Sequence, residues 1–142
     1  MTDQDRTNYA TLILRIGLGT VFIAHGLLKV FVVTLPGAAQ FFEGAGFPGW
    51  LAYPVAFVEI GGGALLIAGI AIRIVSVIFI PILLGALWFH AGNGWVFANT
   101  NGGWEYPAFL IVATTAQGLL GSGAFALRFR ADQRTERTSQ IR

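Results

Sequence analysis

Residues 12–35, with the sequence LILRIGLGTVFIAHGLLKVFVVTL, form an apolar block that contains Arg15, His25 and Lys29. A helix needs roughly 20 residues to cross about 30 Å of hydrocarbon, so this block is long enough to span a membrane. The preceding segment, MTDQDRTNYA, carries two aspartates and one arginine, unlike the basic start of a secretory signal. We therefore predict a retained membrane helix with ionisable side chains inside it.

The composition of the whole chain agrees with a membrane protein. Hydrophobic residues make up 55% and charged residues 11%, with a mean hydropathy of +0.68, whereas a soluble domain has roughly 25% charged residues. We expect an all-α, integral membrane four-helix bundle, followed by a basic polar tail at residues 128–142. The predicted domain covers residues 1–127, with helices at about residues 12–35, 53–72, 74–90 and 106–126.

The distribution of cations predicts the orientation of the bundle. Of the nine Lys and Arg residues, five lie in the tail, Arg6 and Arg15 flank the first helix, and Arg73 marks the turn between the second and third helices. The positive-inside rule then places both termini and this turn in the cytoplasm. A short basic segment beside a membrane helix is typical of a topology determinant, so we expect no nucleic-acid partner.

Two charged side chains are expected at the same depth below the outer surface. Lys29 lies about six residues below the end of the first helix, and Glu59 about six residues below the start of the second. A lone charge at that depth is unfavourable, so we predict an ion pair between Lys29 and Glu59. His25, one turn from Lys29, is expected on the same face with Phe22 and Arg15, pointing into the bundle.

Aromatic and polar residues cluster near the outer ends of the last two helices. Trp88, His90, Trp104 and Glu105 lie there and are candidates to surround a ligand. The alternative is an anchoring belt for the tryptophans and hydration for His90 and Glu105. For Lys29 and Glu59, the alternative is a purely structural ion pair.

Several cofactor sites are disfavoured by the sequence. The chain has no cysteine, which excludes a thiolate nucleophile or iron–sulfur ligation by its own residues. His25 is expected deeper than His90, which disfavours a bis-histidine haem, and no metal-binding or flavin motif is visible. We therefore expect no metal.

Four segments resemble the DoxX family of small membrane proteins: LRIGLGTVFIAHGLLKVF, QFFEGAGFPGW, VAFVEIGGGALLIAGIAIR and GLLGSGAFAL. The resemblance rests on His25, Gly26 and Lys29, on Glu59 with Gly62 and Gly63, and on Arg73 at the next helix boundary. Gly62, Gly63 and Arg73 are expected to be structural. Family members often end in a pattern like GPGRYSLD, whereas this chain has Arg128 where the aspartate would stand.

The resemblance implies a bacterial inner-membrane protein linked to electron transfer with the quinone pool. His25, Lys29 and Glu59 would then be catalytic, donating to quinone carbonyls or carrying protons, and Phe22, Trp88, His90, Trp104 and Glu105 would contact the ring. Such a chain is at most a non-autonomous subunit of a quinone oxidoreductase, with other membrane or redox proteins as partners. The alternatives are a structural accessory subunit without chemistry and a transporter or channel protomer.

Overall fold

A computed structural model describes residues 1–127, and within that range every regular element is a helix and none is a strand, as predicted. Five α-helices follow one another: α1 (Asp3–Leu27), α2 (Leu35–Gly44), α3 (Ala52–Ala68), α4 (Ile72–His90) and α5 (Glu105–Leu120). The number exceeds the expected four because α2 forms within the segment predicted to be an outer loop. The predicted basic tail, including Arg128, lies outside the described residues.

Helix α1 begins before its apolar block and ends in a widened turn. The Thr2 hydroxyl accepts from the backbone of Asp5, and the Asp5 carboxylate accepts from the backbone of Thr2, forming a capping box. The polar residues that follow can therefore remain helical. At the other end, Leu28–Val32 continues the helix as a π-helical turn, closed by a 2.9 Å bond from the Val33 amide to the Leu28 carbonyl.

Helix α2 has its own start and stop signals. Thr34 is its N-cap, with a left-handed φ of 67°, and its hydroxyl accepts from the Gly37 amide. Pro36 occupies the first turn, where its missing N–H costs no helical bond. These signals start a short amphipathic helix in a segment that the hydropathy pattern alone predicts as a loop.

A tight turn joins α3 to α4. Gly69 ends α3 with φ of 79°, a left-handed conformation that glycine adopts readily. Arg73 is exposed in the first turn of α4. Helix α4 then continues through Pro81 to His90 without interruption.

The long helices pack as two pairs that also contact each other: α1 with α3, α4 with α5, α1 with α5 and α3 with α4. Phe22, Leu66 and Phe79 are at the centre of the hydrophobic core, each no more than 2% exposed. The segment after α5 crosses the ends of the first helices. The Ala124 amide donates to the Asn8 carbonyl at 3.1 Å, and the Leu127 amide donates to the Ala68 carbonyl at 3.0 Å.

Three segments of the described chain are long and apolar enough to cross a membrane: Asp3–Val32, Gly49–Ala68 and Ile72–Asn93. Helix α5 has 16 residues, somewhat fewer than the roughly 20 that a perpendicular crossing needs. Its C-terminal end comes earlier than the predicted residue 126 because Gln117 donates to the Gly121 carbonyl, and Gly121 leaves the helix with φ of 81°.

Candidate functional site

The predicted ion pair between α1 and α3 is confirmed. Lys29 Nζ lies 2.7 Å from Oε2 and 3.0 Å from Oε1 of Glu59. The side chains are 18% and 7% exposed, so the two charges compensate each other largely away from the surface. Lys29 belongs to the π-helical turn, and such turns inside α-helices occur frequently at functional sites.

Glycines bring these two helices close enough for the pair to form. A Cβ added to Gly26 would lie 2.8 Å from the Ala56 carbonyl oxygen, and one added to Gly63 would lie 2.7 Å from the Gly19 carbonyl oxygen. Gly62 instead faces α4, where a Cβ would be 2.7 Å from Cζ of Phe79. Of these contacts, sequence reasoning singled out Gly62 and Gly63 and missed the facing Gly19.

His25 lies near the ion pair, but it is exposed instead of buried. Phe22 and Arg15, on the same predicted stripe, are buried, whereas His25 faces a cavity between the helices and is exposed there. Its Nδ1 lies 2.8 Å from the Val21 carbonyl. A carbonyl can only accept, so Nδ1 carries the proton and Nε2 of the neutral ring is left as an acceptor.

A cavity of about 590 Å³ connects His25 with the ion pair. Its volume is within the range of roughly 300–1,000 Å³ that is usual for small-molecule sites. The polar groups are contributed by His25, Lys29, Glu59, His90 and Tyr106. The rest of the lining is mainly apolar and includes Val21, Phe22, Phe41, Phe42, Phe47, Val55, Pro81, Ile82, Leu83, Phe89 and Leu110.

Helix α2 contributes to this cavity in a way that sequence reasoning missed, and Tyr106, at the start of α5, lines it as well. Phe41 and Phe42 come from α2, and the Phe41 ring lies 4.5 Å from that of Phe89 on α4. The Tyr106 ring lies 6.1 Å from that of His25, inclined by 25°. The signal for α2 was Pro36 after a threonine N-cap, followed by the adjacent phenylalanines.

The predicted ligand-contacting residues separate into three groups. Phe22 and His90 line the cavity with His25, Lys29 and Glu59. Trp104 and Glu105 line a different surface depression, together with Trp95, Phe97 and Phe109. Trp88 is 72% exposed and lines neither.

Glu105 and His90 both hold the loop before α5. Glu105 Oε1 accepts from the Phe97 amide at 2.6 Å. His90 Nδ1 lies 3.0 Å from the carbonyls of both Asn101 and Gly102. His25 and His90 line one cavity despite their expected difference in depth, but no three His, Asp or Glu side chains within residues 1–127 are grouped as metal ligands.

The arrangement offers both a proton donor and a proton acceptor to a molecule in the cavity. Lys29 is a donor held by Glu59, and its remaining N–H points to the His25 carbonyl at 3.5 Å, a weak contact that a ligand can replace. His25 Nε2 is the complementary acceptor. A flat, polar-edged molecule between aromatic walls would meet both.

Comparison with known families places this site in context. The sequence model of the DoxX family matches residues 10–92. The chain belongs to the DoxX family. The DoxX match includes most of α1 and all of α2 to α4, and hence Phe22, His25, Lys29, Glu59 and His90, whereas Trp104, Glu105 and Tyr106 lie beyond it. Together with the three long apolar helices, DoxX membership indicates a multi-pass membrane protein in contact with the lipid bilayer.

The chain is also similar to a named relative. The protein "Putative oxidoreductase CatD" of Bacillus subtilis (strain 168) is 43% identical over 77 residues. The match covers 54% of this DoxX chain and 56% of the relative, so the chain spans little more than half of the relative's length. No solved structure matches the chain.

Proposed function

We propose that the chain is an inner-membrane subunit of a bacterial quinone-linked redox complex, and that the cavity between α1, α3 and α4 binds the quinone headgroup. The observation that carries the proposal is the position of Lys29, Glu59 and His25 at the wall of an otherwise largely apolar cavity. Intramembrane ionisable groups are rare and usually functional. The oxidoreductase name of the relative from Bacillus subtilis supports a redox role.

The residues present fit a quinone. When bound, a quinone would supply two-electron, two-proton redox chemistry. Lys29 would donate to a carbonyl oxygen of the quinone, and His25 Nε2 would accept a proton from a hydroxyl of the reduced quinol. Glu59 would hold Lys29 in position and exchange protons with it, while Phe22 and Tyr106 would bound the ring.

The proposed redox function requires partner proteins. The sequence shows no flavin or haem motif, so the electrons would come from another subunit, and the chain would be a non-autonomous part of an oxidoreductase. Trp88, exposed on α4, and the depression beside Trp104 and Glu105 are surfaces where a membrane partner or lipid would pack. Crosslinking in the native membrane tests which of these exposed faces contacts a partner.

We also propose that α1, α3, α4 and α5 form a four-helix membrane bundle with both termini in the cytoplasm. The positive-inside rule supports this orientation. The segment after α5 also contacts the start of α1, which puts the two termini of the described chain on the same side of the bundle. The native chain has no cysteine, so single cysteines can be introduced cleanly. Gln4→Cys should react with an impermeant maleimide only from the cytoplasmic side, and Thr100→Cys only from the outer side. Labelling of both from one side would refute the topology.

Quinone retention tests the cavity directly. The protein is purified gently from its native membrane with its partners, and bound quinone is extracted and quantified by mass spectrometry. We expect about one quinone per chain in the wild type and a loss of at least tenfold in His25→Ala, because each tenfold loss requires only about 1.4 kcal/mol. Leu119→Ala, exposed on α5 and outside both the cavity and the depression, is the control and should retain quinone. Equal retention in wild type and His25→Ala, or none in either, would refute the proposal.

The alternative is a structural accessory subunit with no chemistry. The observation in its favour is that Lys29 and Glu59 satisfy each other without a ligand. Replacing His25 with alanine should then leave the activity of the whole complex unchanged, while deletion of the chain should prevent assembly. Normal assembly in a deletion strain would exclude this alternative.

A further inference from the structure

A second set of buried polar side chains lies at the opposite end of the helices from the cavity, near the described chain ends. Arg15 of α1 is 1% exposed, Ser76 of α4 is 3% exposed, and Thr114 and Gln117 of α5 are fully buried. None of the four lines the cavity, and the proposed function uses none of them.

The four side chains are arranged around the end of α5. Arg15 donates to the carbonyl of Ser122, and Gln117 Nε2 donates to the carbonyl of Gly121 at 2.8 Å, so both reach consecutive carbonyls of one turn. Ser76 packs on the same helix, because a Cβ added to Gly118 would lie 3.1 Å from the Ser76 Cβ. Thr114 is one turn before Gly118 and shares its face.

Each of the four side chains has one buried polar atom without a partner among residues 1–127: Arg15 Nε, Ser76 Oγ, Thr114 Oγ1 and Gln117 Oε1. This is unusual for hydroxyls on helices. Thr115, the neighbour of Thr114, donates to the Ile111 carbonyl at 2.7 Å, and Thr20 donates to Ile16 at 2.8 Å. An unpaired buried polar group costs about 1–3 kcal/mol, so four of them around one turn favour the binding of a polar partner there.

The positive charge of Arg15 favours an anion as the polar partner of these groups. A guanidinium does not lose its proton in a protein, and a carbonyl bond does not neutralise it. The ion pairs of the described chain join Arg6 with Asp3 and Lys29 with Glu59, and neither includes Arg15. At 1% exposure, Arg15 also cannot extend to lipid phosphates at the surface.

We propose that Arg15, Ser76, Thr114 and Gln117 form a buried site for a small inorganic anion of about chloride size, held together with water. The Arg15 Nε–H and the two hydroxyls, which rotate freely, supply three donors. Gln117 Oε1 is an acceptor and would repel an anion, so a water molecule donating to it completes the site. A mixed set of donors and one acceptor fits a hydrated anion better than a bare one.

This site is separate from the quinone cavity. The Phe22 and Phe79 rings stack between the two, with centroids 3.6 Å apart. Arg15 precedes Phe22 by two turns, about 10 Å along α1, and Ser76 precedes Phe79 by about 4–5 Å along α4. The anion would therefore enter from the end where the chain termini meet, and the site does not depend on the quinone proposal.

Chloride-dependent stability tests the site with the full chain. Thermal unfolding in detergent is measured while sodium gluconate is replaced by sodium chloride at constant ionic strength. We expect a saturable rise in Tm of about 3–6 °C with chloride, because a ligand that binds only the folded state stabilises it by mass action. The Ser76→Ala/Thr114→Val variant should lose most of this rise. Thr115→Val, whose hydroxyl bonds to its own helix, should keep it.

A heavier halide gives an independent readout. Crystals grown with bromide should show an anomalous peak beside the Arg15 guanidinium in the wild type and none in the double variant. Equal unfolding curves in chloride and gluconate, with no bromide peak, would overturn the proposal. A loss of stability in Asp132→Asn or Glu136→Gln without any chloride effect would also overturn it, because a carboxylate of the chain would then be the counter-ion.

Discussion

The ring of Phe22 lies flat against the ring of Phe79, with planes 2° from parallel and centroids 3.6 Å apart. Phe79 in turn lies against Gly62, so three helices meet at this layer. The layer joins the α1–α3 pair to the α4–α5 pair. Its loss should affect the whole described fold.

Phe79→Ala should destabilise the protein by about 3–5 kcal/mol, since a large buried ring is removed from a fully enclosed position. The effect is measured as the shift in the midpoint of unfolding by SDS in mixed micelles. Phe109→Ala removes the same ring from a position that is 65% exposed and should change stability by about 0.5 kcal/mol or less. Equal effects of the two substitutions would contradict the assigned core.

Gly63→Ala should lower stability by about 1–3 kcal/mol, because the new Cβ would lie against the Gly19 backbone and force α1 and α3 apart. Gly61 is the matched control two residues away, where a Cβ meets nothing within 4 Å. Gly61→Ala should be neutral or stabilising by up to about 1 kcal/mol through helix propensity. A Gly63→Ala protein as stable as Gly61→Ala would show that the helices do not approach here.

Lys29→Met should destabilise the protein by about 3–5 kcal/mol, because it leaves the Glu59 carboxylate buried without its partner. Adding Glu59→Leu should restore part of this loss, so the double variant should be more stable than the sum of the single variants predicts. The coupling is measured by unfolding all four proteins under the same conditions. Arg6→Ala, which breaks an exposed pair with Asp3, should cost about 0–1 kcal/mol. Additive effects of Lys29→Met and Glu59→Leu would contradict a coupled pair.

His90→Ala should loosen the loop before α5, since the His90 ring bonds to the carbonyls of Asn101 and Gly102. Hydrogen exchange of amides in residues 94–104 should accelerate about fivefold to tenfold, the equivalent of roughly 1 kcal/mol of lost hydrogen bonding. Trp88→Ala alters an exposed ring on the same helix and should leave these rates unchanged. Faster exchange in both variants would indicate a general effect on α4.

The ion pair could be predicted from sequence because it depends on simple geometry. Two antiparallel helices of constant rise place Lys29 and Glu59 at one depth, and the free energy of unpaired charges then favours their contact. The exposure of His25 could not be predicted in this way, since it depends on which neighbouring helix covers that face. The helical periodicity places His25 beside Lys29 but does not reveal the opening next to it.

The ligand-contacting set was predicted less well for a related reason. The sequence grouped these residues because they lie close together near the outer ends of two helices. Which side chains face the cavity depends instead on the hydrogen bonds that His90 and Glu105 make to the loop before α5. Trp104 and Glu105 consequently line a separate depression, and Trp88 faces away from both. The contribution of α2 required recognition of its capping residues, because hydropathy alone left residues 36–52 as a loop between the first two predicted helices.

The contact between Lys29 and Glu59 has a consequence for biogenesis. The chain emerges from the ribosome N-terminus first, so Lys29 reaches the bilayer before Glu59 does. Until α3 arrives, the ammonium has no carboxylate partner and is held near the headgroups by its long side chain. The first helix should therefore settle fully only after its partner helix has been inserted, which makes α1 and α3 a single unit of assembly during translation.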